Sequence, residues 1–318
     1  MKHTLLLLSS LFCASAFAQA NDAQPESMVT YLNGECMYKN SYAYDENGNK
    51  TVETIYNWEF SQWVEDSKTE YTYDAKNRLT NDAKYIKSNG EWTIDSKSEY
   101  VYGTDGRVSY AESHKWADDH WNDTKLEYAY AADGLSASIT SSYGMMGMWI
   151  PYTLTEMVYD AAGHETESTL YMYLGEWSPF SKWENTYDAD GRNLLDKGYY
   201  WEDEEWSWNE KYEYAYDDEN RLATETSYEL VDDQWTGSYR WGYTYDASGK
   251  LTEKGYYLSS GSSWYKYGYY LYTYATPSAI ASTPFAPAVT APRKMLKDGQ
   301  IIITDGLRTH ILNGARVR

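Results

Sequence analysis

The chain has 318 residues, a formal net charge of −21, and 36 Tyr and 14 Trp against 5 Phe. Its last 26 residues hold six basic and two acidic side chains, so with Lys2 set aside residues 3–292 carry −26. That excludes binding to a phosphate backbone, which needs Lys and Arg to displace counterions. With Cys13 and Cys36 as its 2 cysteines it also excludes a disulfide framework.

At the start, Lys2, the run Leu5–Leu8 continuing to Phe12, and Ala16-Phe17-Ala18 read as a secretory signal peptide over 1–18, cleaved before Gln19. The expected address is therefore secreted, outer-membrane or cell-surface. Residues 19–41 read as a lead-in and a cap strand, in which Gly34-Glu35-Cys36 parallels Gly90-Glu91-Trp92. Cys36 then fills a tryptophan slot as a buried free thiol.

Residues 42–275 are an array. The second tyrosine of a Tyr-x-Tyr-Asp signature recurs at Tyr44, Tyr73, Tyr102, Tyr130, Tyr159, Tyr187, Tyr216, Tyr245 and Tyr274, in steps of 28 or 29 residues. A tryptophan follows each of the first eight by 18 or 19 residues. Such a register is the mark of a repeat architecture. After each tyrosine comes a short turn whose closing slot holds Gly or Asn, residues that tolerate positive φ. The two arms around it alternate aromatic and polar residues with period two, so the unit is a β-hairpin. The second loop is acidic, and Trp58 with Trp63, Trp116 with Trp121 and Trp201 with Trp206 are placed to meet across it. One hairpin cannot offset its own ordering entropy, so the units must share faces. The expected fold is all-β: an antiparallel meander of about eight β-hairpin repeats forming a long curled sheet or open barrel. A closed barrel of 16–18 strands is the alternative.

The unit starting at Tyr128 departs from the rest. Its turn lacks the aspartate and the basic residue, and its second loop becomes Gly144-Met145-Met146-Gly147-Met148-Trp149-Ile150-Pro151. Pro151 and Pro179 follow repeat tryptophans by two residues in consecutive units, which predicts a bent or locally opened sheet. Residues 276–292 read as a Pro/Ala/Thr linker. Residues 293–318 read as a small hairpin tail, two apolar runs around Asp305-Gly306.

The cores YTYDAKNRL (Tyr71–Leu79), YAYDDENRL (Tyr214–Leu222) and YTYDASGKL (Tyr243–Leu251) resemble the YD repeats of the RHS family. The resemblance implies a secreted or surface protein built of curled β-sheet and associated with carbohydrate and cell-surface interaction. The tail, with Leu312-Asn313-Gly314 and a Val317-Arg318 ending, is similar to Bacteroidota type IX secretion sorting segments, which implies the export machinery as a partner.

No nucleophile system is legible, and the carboxylates crowd turns where solvation explains them, so no catalytic residue, metal or cofactor is expected. His114 and His120 flank one loop with Asp118 and Asp119, at a spacing too loose for a zinc signature. The excess of Tyr over Phe suggests a face that stays partly wet. It reads either as a ladder of cross-strand aromatic pairs or as a platform for sugar rings. The expected function is non-enzymatic binding of a glycan or a surface protein, with a purely structural or adhesive protein, or an outer-membrane barrel, as alternatives. The candidate ligand residues are Met145, Met148, Trp149, Trp177, Trp201 and Trp206, because a regular array interacts most specifically where its repeat breaks. Oligomeric state is not legible.

Overall fold

The computed structural model describes residues 24–117, 120–261 and 263–275, together with the backbone of 293–297, 300–304 and 309–312. The expected signal peptide over 1–18, the expected linker 276–292, Asp118 and Asp119 lie outside the described residues. The chain divides into two units, Met1–Ala275 and Thr276–Arg318.

Among the described residues every regular element is a strand. The first unit opens with β1 (Pro25–Leu32), β2 (Glu35–Tyr44), β3 (Lys50–Glu59), β4 (Gln62–Tyr73), β5 (Leu79–Ser88) and β6 (Glu91–Tyr102). It continues with β7 (Val108–Ala117), β8 (His120–Tyr130), β9 (Ser136–Met145), β10 (Met148–Tyr159), β11 (Glu165–Tyr173) and β12 (Trp177–Tyr187). It ends with β13 (Asn193–Glu202), β14 (Glu205–Tyr216), β15 (Leu222–Val231), β16 (Gln234–Tyr245), β17 (Leu251–Ser260) and β18 (Ser263–Tyr274). Each strand pairs antiparallel with the next, and β1 also pairs with β18, so the sheet closes into an 18-stranded barrel. The closed alternative is the one the chain adopts.

The closing strand is the segment that the sequence offers as a lead-in. Met28 faces Asn40 of β2 on one side and Tyr272 of β18 on the other. β1 carries no Tyr-x-Tyr-Asp motif, so the repeat count stops short of the strand that removes both open edges. Gly268 makes the seam possible: a Cβ there would lie 2.8 Å from the Tyr31 carbonyl oxygen and 2.7 Å from a Leu32 methyl.

The turns are built as the repeat implies. In the 216–222 turn, the Asp217 carboxylate accepts from the amides of Glu219 and Arg221 and from the Arg221 guanidinium. Asn220 stands at φ 62°, and Gly191 fills the same slot at φ 80°. The opposite tips are two-residue turns with both residues at positive φ, such as Asp203-Glu204 and Asp232-Asp233.

A β-bulge, which sequence periodicity does not reveal, recurs on most of the long hairpins. In β15–β16, Ser227 faces Tyr239 but Tyr228 faces Gly237, leaving Ser238 extra. The extra residue turns the remaining alternation over. Tyr216 and Trp235 therefore lie on opposite faces, against the expectation of one shared aromatic face. The bulges also explain the prolines. Pro151 and Pro179 sit beside register shifts, and the ladder continues past both, so the sheet is not opened there.

The second unit contains β19 (Arg293–Lys297), β20 (Gln300–Thr304) and β21 (Thr309–Leu312), in antiparallel order. The expected hairpin is β20–β21, with β19 as an additional strand.

Candidate functional site: the two faces of the wall and the cavity at the seam

On one face of the wall the repeat tyrosines are fastened by their hydroxyls. The second tyrosine of most motifs reaches a backbone carbonyl in the preceding strand: Tyr73 donates to Lys50 O at 2.8 Å, Tyr102 to Leu79 O at 2.8 Å and Tyr216 to Asn193 O at 2.9 Å. In several units the first tyrosine reaches a carboxylate. Tyr100 donates to Asp82 at 2.8 Å, Tyr214 to Asp196 at 2.6 Å and Tyr243 to Glu225 at 3.1 Å. This is why the chain uses Tyr where Phe would fill the same space: the phenol pins each repeat to the one before it. The wetness inferred from the Tyr excess is replaced by a hydrogen-bond ladder.

Burial pushes the carboxyls of Asp82, Glu165, Asp196, Glu210 and Glu225 above the ordinary range, and Asp196 adds repulsion at both Glu165 and Glu225. In contrast, the acids of the opposite face are open to solvent: the side chains of Glu70, Glu127 and Glu213 are 44%, 52% and 46% exposed. The tyrosine–carboxylate face is thus the enclosed, inner one. Ala111, Ile139 and Met157 interrupt it in the sector of the aberrant unit, where Tyr100 faces Ala111 and Tyr128 faces Ile139.

The outer face holds a second ladder that sequence reading missed. A basic residue stands five positions before most repeat tyrosines, as Lys39, Lys68, Lys97, Lys125, Lys182, Lys211 and Arg240. The Lys211 ammonium lies 4.6 Å from the Tyr228 ring and 5.2 Å from Trp235, and pairs with Glu213 at 2.5 Å. Lys182 does the same with Tyr199, Trp206 and Glu184, and Lys68 with Tyr85, Trp92 and Glu70. The mid-strand tyrosines and repeat tryptophans are packing partners for these cations, not a bare platform. The legible signal was the constant five-residue offset of the lysine.

The candidate residues taken from the sequence fall at the barrel end that carries the acidic tips. Trp201 and Trp206 pair edge to face at 5.0 Å, as Trp58 with Trp63 and Trp116 with Trp121 do at 4.9 and 5.3 Å. Trp206 is additionally covered by Lys182. Met145, Met148 and Trp149 are exposed, and Met146 at the tip between them is 91% exposed. Trp177 packs on Tyr173 at 5.1 Å beside the exposed Leu174. The structure thus keeps Met145, Met148, Trp149 and Trp177 on neighbouring hairpins, leaves Trp206 in the cation ladder with Trp201 packed on it, and sets Trp149 6.0 Å from the Lys125 ammonium. His114 bonds to Asp123 at 2.7 Å, and His164 replaces the usual turn arginine, bonding to Asp160 and stacking on Tyr187 at 4.7 Å.

A site absent from that set lies where β1 closes the barrel. A cavity of about 370 Å³ is lined by Thr30, Tyr31, Leu32, Tyr239, Trp241, Tyr256 and Gly268, and by Tyr267, Tyr269 and Tyr270. That size is within the range of small-ligand sites, roughly 300–1,000 Å³. Trp241 stacks on Tyr270 at 5.8 Å and packs on Tyr256 at 4.8 Å, while Tyr256 meets Tyr267 edge to face at 6.3 Å. Tyr267 is the extra residue of its bulge, a position held by Ser238 and Asn209 in the two preceding units.

No family model matches the chain, and no curated protein does. Among solved structures, a porin-like protein from Bacteroides uniformis is similar over 81% of this chain and 99% of its own, with 10% identity and a TM-score of 0.40. A TcdB2-TccC3 chain is similar over 73% of this chain, with 12% identity and a TM-score of 0.28, and this chain spans 16% of its length. A DUF3836 family protein from Bacteroides vulgatus is similar over 30% of this chain and 87% of its own, with 20% identity and a TM-score of 0.21. At these scores none of them says what the chain does; the barrel rests on its own strand pairing. A closed meander of an even number of antiparallel strands fits a surface or outer-membrane protein.

Proposed function

We propose that this chain is a secreted or cell-surface barrel that binds glycan without catalysing a reaction, and that the ligand enters the aromatic cavity at the seam. The cavity carries the reading: it gathers Tyr239, Trp241, Tyr256, Tyr267 and Tyr270 around one space of ligand size. Along much of the wall the aromatic rings pack on lysines, and the phenols donate to carboxylates or backbone carbonyls. The non-enzymatic part is supported by those same pairings, since the inner carboxylates Asp82, Asp196 and Glu225 each accept a tyrosine hydroxyl. A glycan array probed with the mature chain tests the reading, and absence of binding to every glycan would overturn it.

The outer wall favours an aqueous setting over lipid. Seven basic side chains, Lys39, Lys68, Lys97, Lys125, Lys182, Lys211 and Arg240, lie mid-strand on the outer face. Each would cost about 2–4 kcal/mol at a bilayer midplane. A surface address with the barrel in water is supported by the signal peptide and the sorting-like tail; an unchanged location after deletion of 293–318 would remove the tail's part in it. The exposed tips around Met146 and Leu174 support a second reading, a docking surface for a surface protein. Serine at Met145, Met148 and Trp149 with partner capture unaltered would sink it.

A further inference from the structure

The described tyrosines of the wall differ in what their hydroxyls do. Most of those of the repeat motif are engaged: Tyr44, Tyr73, Tyr102, Tyr187, Tyr216, Tyr245 and Tyr274 donate to carbonyls, and Tyr71, Tyr100, Tyr214 and Tyr243 to carboxylates. Among the described residues, the hydroxyls of Tyr256, Tyr267 and Tyr270 bond to no other group of the chain. All three line the seam cavity. Three idle hydroxyls among stacked rings offer apolar faces and hydrogen-bonding edges together, the combination that a sugar ring presents in return.

Charge decides between a sugar and the other ligand an aromatic cage can hold, an organic cation. The Lys254 ammonium lies 4.3 Å from the Trp241 ring, and Lys254 is set beside Glu225 on the inner face. The cation–π capacity of Trp241 is already used, and a second cation would meet that ammonium. An acidic sugar would come near the inner carboxylates Glu210 and Glu225, whose charges act on the lining residue Tyr239. An uncharged ring meets neither cost.

We propose that the seam cavity is a subsite for one uncharged pyranose ring of a glycan, and that its occupation is coupled to the docking of β1. This rests on the glycan-binding reading above and adds to it the class of sugar, the residues and the linkage. The coupling follows from the lining: Thr30, Tyr31 and Leu32 come from β1 and Gly268 to Tyr270 from β18, so the space exists only when the barrel is closed. A ligand that binds the closed form alone stabilises closure by mass action.

The experiment titrates the mature chain with neutral gluco- and galacto-oligosaccharides, with tetragalacturonate and with tetramethylammonium, following tryptophan fluorescence and calorimetry. The expected result is binding of a neutral oligosaccharide, with the two charged probes at least about tenfold weaker. Phenylalanine at Tyr256, Tyr267 and Tyr270 together keeps the rings and removes the hydroxyls; it should weaken neutral-sugar binding by about tenfold or more, three hydrogen bonds of modest net strength being lost. If that triple variant fails to fold, Tyr267→Ser, which restores the side chain found at 238, should weaken binding in the same direction. Hydrogen exchange should slow on sugar binding at β1 and β18 before the rest of the wall. Equal affinity for tetramethylammonium, unchanged neutral-sugar binding by the variants, or uniform protection would overturn the proposal while leaving glycan binding intact. Failure of every glycan to bind would overturn both.

Discussion

The ammonium of Lys211 lies 4.6 Å from the ring centre of Tyr228, held there by Glu213 on its own strand and by Trp235 two strands on from its own. The lysine side chain is 15% exposed. Partial desolvation strengthens a cation–π contact, which is worth about 0.5–2 kcal/mol, whereas the ion pair with the half-exposed Glu213 contributes little. Lys211→Met keeps the apolar stem and removes the charge. It should lower stability by about 0.5–2 kcal/mol, and a double-mutant cycle with Tyr228→Leu should recover most of that as coupling. A denaturant midpoint unchanged by Lys211→Met would assign the contact to stem packing alone.

Gly191 is required twice over. Its φ of 80° is in the left-handed region, and a Cβ would stand 2.6 Å from Nε2 of His164 in the neighbouring repeat. Gly191→Val should cost about 1–3 kcal/mol. Gly191→Asn should cost less, because Asn77 and Asn220 hold the same slot at φ 60° and 62°. Equal melting temperatures for glycine and valine would show that the turn does not hold the repeat in place.

Asp196 predicts how stability depends on pH. Burial raises its carboxyl above the ordinary range, with the Tyr214 and Asn193 hydrogen bonds opposing. The folded state therefore holds the proton at pH values where the unfolded chain has released it. Its contribution is complete below the unfolded pKa and is lost as pH rises through the folded one. The turn aspartates act in the other direction: the Arg78 hydrogen bond lowers Asp74 to about 2, so its contribution is present above the ordinary carboxylate pKa and is lost as pH falls below that pKa towards 2. Chemical denaturation of the wild type from pH 4 to 7 should show stability declining, and Asp196→Asn should decline less. A steeper decline in the variant would mean that the inner carboxylates are not strained by burial.

The sequence by itself determined the repeat, the strand-turn-strand unit and the glycine or asparagine slots, because each depends on φ preference and alternation within a few residues of chain. It also determined the Trp58–Trp63 and Trp201–Trp206 contacts, since a two-residue tip leaves them no other register. Closure, the inner and outer faces and the seam cavity were decided only in the tertiary structure. β1 has no motif and becomes a barrel strand only because β2 and β18 both offer it an unpaired edge. Ser238 looks like any strand residue until its extra length puts Tyr245 inside and Trp235 outside. Tyr267 differs from Ser238 by its side chain alone, but it faces a cavity because Thr30, Tyr31 and Leu32 arrive from the far end of the repeat domain. Contacts between residues more than two hundred positions apart leave no periodic trace in the chain, and the candidate ligand site is made of them.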